Sequence, residues 1–114
     1  MITISGVNNS MIANNLFPKT PTHPGVFLRE ELECRGVSEE SFAKRIGLEE
    51  NFLKDLLNGK RDFTIESAML IEAGLGIDSD YWINLQTNYD KAKAANNPSF
   101  MERLASIRKI AAAL

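Results

Sequence analysis

Residues 38–61 read SEESFAKRIGLEENFLKDLLNGKR, and the reading of this stretch decides the fold. Ser38 suits the position before a helix, because its hydroxyl can accept from a backbone N–H of the first turn. Glu39 and Glu40 then fall at the positive end of the helix dipole. Phe42, Ala43 and Ile46 point inward, and Ala43 is small enough to let a second helix cross closely. Gly47 permits a tight turn at Ile46-Gly47-Leu48, since glycine takes left-handed backbone angles without steric cost. A second helix is expected from about Glu49 to Leu57. Its apolar residues Phe52, Leu53, Leu56 and Leu57 form a single face. Glu50, Asn51, Lys54, Asp55 and Asn58 are left on the other, and Asn58-Gly59 closes the helix.

Two short helices crossing steeply through a three- or four-residue turn make a helix-turn-helix, which lays its second helix in a DNA major groove. The plainer alternative is a helical hairpin within an all-α domain. The chain on either side reads as bracing for this unit. A preceding helix begins near Pro24, with Thr22 or His23 before it as cap, and ends at Gly36. It carries Phe27, Leu28 and Leu32 on one side. After the central stretch, Thr64 caps a helix through IESAMLIEAGLG, apolar nearly all round and expected to be the central buried one. A fifth helix begins near Ser79-Asp80, with Tyr81, Trp82, Leu85 and Tyr89 as its inner stripe. Beyond Pro98, Ser99-x-x-Glu102 has the form of a capping box opening a last helix. Phe100, Leu104, Ile107, Ala111 and Leu114 trace a narrow seam along it. That seam is open to three readings: packing on the parent core, pairing across a dimer, or gripping a protein partner. The fold class is therefore all-α, a five-helix domain at 23–95 with an additional C-terminal helix at 98–114. Residues 1–22, rich in Asn, Ser, Thr and Pro, are expected to be a flexible arm, with a weak strand signal at Ile2 to Val7.

Composition narrows the function. The chain has 114 residues and a formal net charge of −2, so any nucleic-acid surface must be a local basic one. Cys34 is the single cysteine, which excludes an internal disulfide and a cysteine-based metal site, and it is expected to be buried or half-buried. No run approaches the ~18 apolar residues of a membrane span. The start lacks the basic and apolar regions of a signal peptide, which fits a cytoplasmic protein. His23, the single histidine, lacks ligand partners at metal spacing and reads as a helix cap. Glu30, Glu31 and Glu33 point in different directions on a helix and read as a solvated face. Nothing resembles a nucleophile elbow, a nucleotide loop or a zinc site, so an enzyme is not expected, and neither is a cofactor.

HPGVFLREEL, the central helix pair, LNGKRDFT and LGIDSDYWINLQTNYD together resemble the antitoxins of the HigA/VapI type, within the XRE (Cro/C1 repressor-like) class. The resemblance covers roughly Thr22 to Ala95. The combination of His23-Pro24-Gly25 with Trp82-x-x-Leu85-Gln86-x-x-Tyr89 is particular to that subgroup. It implies a repressor-like five-helix DNA-binding domain and a homodimer on operator DNA. It also implies neutralisation of a RelE/HigB-like mRNA-cleaving toxin and repression of the operon that encodes both.

Carried onto this sequence, the resemblance implies a DNA-facing set. Asn51 and Lys54 are the candidate base readers, with Glu50 as a possible acceptor from a cytosine amino group. Lys44, Arg45, Lys60 and Arg61 are phosphate candidates, and Ser38 is the cap residue at the interface. The set departs from the class at Glu39, where Gln is frequent. It departs again at Glu49-Glu50, where Ser or Thr followed by a basic residue is frequent. Within 38–61 the acids Glu39, Glu40, Glu49, Glu50 and Asp55 match the bases Lys44, Arg45, Lys54, Lys60 and Arg61 in number. Two alternatives remain: a phage-repressor-like regulator without a toxin, and a protein-interaction module whose DNA binding is lost.

Overall fold

The structure is a computed structural model that describes residues 18–113. The arm at 1–17, its Ile2–Val7 strand signal, and Leu114 lie outside the described residues. Those described form six helices: α1 Pro24–Arg35, α2 Glu39–Ile46, α3 Glu50–Leu57, α4 Ile65–Leu75, α5 Ser79–Ala95 and α6 Pro98–Ala113. The fold is all-α, and none of these helices is long and apolar enough to cross a membrane.

The chain divides into two compact units. Thr22–Tyr89 holds α1 to α4 and the first part of α5. Its core is built from Leu28 and Leu32 of α1, Phe42, Ala43 and Ile46 of α2, and Leu53, Leu56 and Leu57 of α3. Phe63 of the connection, Ala68, Ile71 and Leu75 of α4, and Trp82 of α5 complete it. Phe63 stacks on Trp82 with ring centroids 5.9 Å apart. The buried Gln86 carboxamide accepts from the Phe63 N–H at 2.8 Å, which satisfies a backbone donor between α3 and α4 that has no helical partner. The other unit holds the rest of α5, α6 and the described residues before Thr22. In it Asn96 Nδ2 donates to the Pro18 carbonyl at 2.7 Å.

The subgroup motif His23-Pro24-Gly25 has a mechanical explanation. His23 Nδ1 accepts from the Gly25 N–H at 2.9 Å and so caps α1. Pro24 takes the first helical position, where a missing N–H is harmless. Gly25 lies where a Cβ would run into the backbone carbonyls of Leu56 and Leu57. Only glycine lets the start of α1 come this close to the last turn of α3.

Four expectations are corrected. The cap of α6 is Asn97, whose Oδ1 accepts from the Phe100 N–H at 3.2 Å, and Pro98 occupies the first turn; the Ser99/Glu102 capping box is not formed. Proline at a first helical position continues into the helix instead of breaking it. Helix α4 is not buried all round: Ser67, Ala68, Ile71 and Leu75 face inward, while Ile65, Met69 and Leu70 are exposed. Tyr81 is exposed and edge-on to Trp82, so the inner stripe of α5 in this unit runs through Trp82, Leu85, Gln86 and Tyr89 without it. Cys34 is exposed, because it lies on the solvent side of α1 beside the chain turn at Gly36.

Candidate nucleic-acid interface

The helix pair forms as its sequence requires. Ser38 Oγ accepts from the Ser41 N–H at 3.1 Å, so the hydroxyl is engaged as the α2 cap. Gly47 has φ +75°, and the Leu48 N–H returns to the Ala43 carbonyl at 2.9 Å, which turns the chain sharply into α3. Leu53 and Leu56 are fully buried and fix the rotation of α3 about its axis. With that face fixed inward, Glu50, Asn51 and Lys54 are held outward on one exposed strip.

The balance of acids and bases seen in the sequence resolves into specific pairs. Lys44 Nζ meets Glu40 at 3.7 Å, Lys54 Nζ meets Glu50 at 3.3 Å, and Arg61 Nη2 meets Asp55 at 3.8 Å. The Arg61 guanidinium also lies 4.1 Å above the Phe52 ring centroid, a cation–π contact that orients it. Arg45, Asn51 and Lys60 are exposed and carry no side-chain ion pair or hydrogen bond among the described residues. The first two pairs are one-turn pairs along a helix, and all three are well hydrated. Such contacts contribute at most about 1 kcal/mol, so a phosphate oxygen can replace the carboxylate at small cost.

Glu39 is handled differently. Arg29 of α1 donates to its carboxylate at 3.0 Å, and through its other terminal nitrogen to Asn58 Oδ1 at 2.7 Å. One guanidinium thus ties the start of α2 to the end of α3 and neutralises the acid nearest the Ser38 cap. Sequence reasoning missed Arg29, because its partners lie 10 and 29 residues away and no local pattern joins them. Arg35 was missed likewise: it donates to the Leu75 carbonyl at 2.9 Å and so satisfies an orphan acceptor at the end of α4. The structure brings Glu50, Asn51 and Lys54 together on α3, and Lys44 and Arg45 together on the last turn of α2. Lys60 and Arg61 follow in the loop after α3.

The helix-turn-helix family model matches residues 28–82. An uncharacterised HTH-type transcriptional regulator, YbaQ of Escherichia coli K12, is 30% identical over 94 residues, spanning 82% of this chain and 83% of the relative. The chain belongs to the XRE-type helix-turn-helix family. Virulence-associated protein A' of Dichelobacter nodosus is 32% identical over 73 residues, and the match covers 63% of this chain and 64% of that protein, a little under two thirds of its length. Among solved structures, the Pseudomonas aeruginosa antitoxin HigA with the higBA promoter superposes with a TM-score of 0.67. The identity is 27%, and the match covers 74% of this chain and 94% of that one. The fold is thus that of a DNA-binding helix-turn-helix regulator, and antitoxins are among its structural neighbours.

Proposed function

We propose that this chain is the antitoxin of a type II toxin–antitoxin pair and represses its own operon by binding operator DNA as a homodimer. The observation that carries the reading is the orientation of α3, whose inner face is locked by Leu53 and Leu56 while Glu50, Asn51 and Lys54 stand exposed. The likeness to an antitoxin solved with its promoter supports placing that strip in the major groove. In this reading Asn51 and Lys54 contact base edges, and Glu50 accepts from a cytosine amino group once Lys54 turns from it to the DNA. Lys44, Arg45, Lys60 and Arg61 meet phosphates, and Ser38 holds the first turn of α2 against the backbone. Twofold symmetry presents two copies of α3 to half-sites about one helical turn apart. The toxin partner, a RelE/HigB-like ribonuclease, is sequestered by binding.

Fluorescence anisotropy with the DNA upstream of the gene tests the DNA part. With four phosphate contacts per protomer, log affinity should fall against log salt with a slope of about −3 to −4 for each protomer. No salt-dependent binding at micromolar protein sinks the repressor reading. The ion pairs at Lys44, Lys54 and Arg61 favour one second reading, an interaction module whose DNA binding is lost, and that same null result would support it. Co-purification of the product of the neighbouring gene tests the toxin part.

A further inference from the structure

Glu50 and Lys54 face outward from α3, with Lys54 Nζ 3.3 Å from the Glu50 carboxylate. Both side chains are nearly half exposed, and among the described residues neither makes another side-chain hydrogen bond or ion pair. A donor and an acceptor thus stand side by side on the strip that the proposed function sets in the major groove. We infer that this pair reads one G·C base pair as a unit, Lys54 on the guanine and Glu50 on the cytosine paired with it. The inference rests on the DNA binding proposed above and adds to it the identity of a base pair and the two residues that select it.

The match is one of spacing and of hydrogen-bond sense. In the major groove guanine O6 and cytosine N4 lie side by side, about 2.9 Å apart because they bond to each other. O6 accepts, and the outer N4 hydrogen donates. The protein pair offers the complementary order at 3.3 Å, the ammonium to donate and the carboxylate to accept. Lys54 turns from Glu50 only by the width of a base edge. Guanine N7, next to O6, takes a second proton from the ammonium. An A·T pair cannot serve both ends. There the donor N6 lies between two acceptors, N7 and thymine O4, so a carboxylate on N6 is repelled by the N7 lone pair. The ammonium on O4 finds a single acceptor and meets the thymine methyl group.

Helix geometry brings both ends to one base pair. Residues four apart are separated by about 40° around the axis, whereas Asn51 lies about 100° from Glu50. Glu50 and Lys54 therefore share a line along α3, and Asn51 faces a neighbouring base pair. The pairing also lessens the repulsion between carboxylate and phosphates. Glu50 approaches DNA as half of a neutral pair, and its place in the first turn of α3 favours its charge. The acid at this position is then a source of specificity and not an obstacle to binding.

Selection from randomised DNA duplexes with the full chain and three variants tests the inference. The unsubstituted chain should enrich half-sites with a G·C pair at one fixed position, preferred over the other pairs at least about tenfold. Glu50→Ala and Lys54→Ala should each reduce that preference to within about threefold at that same position. Asn51→Ala should relax a different one. In the selected duplex, N4-methylcytosine replaces the outer amino hydrogen and leaves the pairing with guanine intact. It should weaken binding of the unsubstituted chain at least about tenfold, and of Glu50→Ala by less than about twofold. Glu50→Ala and Lys54→Ala relaxing different positions, or a shared position occupied by A·T, would overturn the inference and leave the repressor reading standing. So would indifference of the unsubstituted chain to N4-methylcytosine. Failure of the unsubstituted chain to enrich any sequence would sink the repressor reading itself, and this inference with it.

Discussion

Helix α3 buries Leu53, Leu56 and Leu57, whereas α6 carries Phe100, Leu104, Ile107 and Ala111 at helical spacing and buries none of its residues. Both show the same kind of amphipathic pattern. The difference lies in what the rest of the chain offers. An eight-residue helix such as α3 is far too short to persist alone in water, so its existence depends on packing. Here α1 and α2 supply it: Leu28, Leu32, Phe42 and Ala43 close over its inner face. Helix α6 is twice as long, begins with a proline and an asparagine cap, and exposes its stripe. Periodicity thus announces a helix and an apolar face but does not say whether the partner is the same chain.

The comparison can be broken by substitution. The largest effect is expected on the inner face of α3. Leu53→Ala removes a fully buried side chain from a core that cannot collapse into the gap, and should cost about 2–5 kcal/mol in urea unfolding. The corresponding change on the other helix, Ile107→Ala in dilute protein, should alter stability by less than about 0.5 kcal/mol. Comparable losses would mean that α6 is packed as tightly as α3. Next is Gly25→Ala, which places a methyl group against the carbonyls of Leu56 and Leu57. Because backbone cannot swing aside, a loss of about 2 kcal/mol or more is expected, read as a lowered thermal midpoint.

The outward face of α3 should behave in the opposite way to its inner one. Lys54→Ala and Asn51→Ala should each weaken operator binding by about 1–3 kcal/mol in anisotropy titrations while leaving the unfolding midpoint within error. If both leave operator affinity unchanged, α3 is not the reader. Arg29→Ala should have a smaller effect, about 1 kcal/mol of stability, because the pair with Glu39 is partly exposed and hydrated. Its signature is specific: Glu39→Gln in the same background should recover part of any lost DNA affinity, since the carboxylate left without Arg29 lies beside the Ser38 cap. Smallest of all is Cys34→Ser, expected within about 0.5 kcal/mol at an exposed position.

Much of this was legible from local chemistry. The caps Ser38, Thr64 and His23, the turn glycines, and the inner faces of α2 and α3 follow from residues a few positions apart. The errors share one cause. Helix α4 is apolar nearly all round, so periodicity could not say which of Ile65, Met69 and Ile71 turns inward, and only Ile71 is buried. Tyr81 and Cys34 were misplaced because an aromatic ring or a small thiol reports a tendency to be buried, not a location. At the candidate site the sequence supplied the residues and an even count of charges. It did not supply which acid meets which base.

The sequence by itself determined the helices, their order, and which side of α3 is apolar, because capping, glycine turns and helical period act over one or two turns of chain. Tertiary structure alone decided that Arg29 bridges Glu39 and Asn58, that Gly25 admits α1 against the end of α3, and that Gln86 satisfies the Phe63 N–H. Those contacts join residues far apart in sequence, and their geometry exists only once the core of Leu28, Phe42, Leu53 and Trp82 has set the helices at fixed distances. The even balance of acids and bases in 38–61 belongs to the sequence. That three of the bases are held by neighbouring carboxylates while Arg45 and Lys60 stand open is a consequence of the fold.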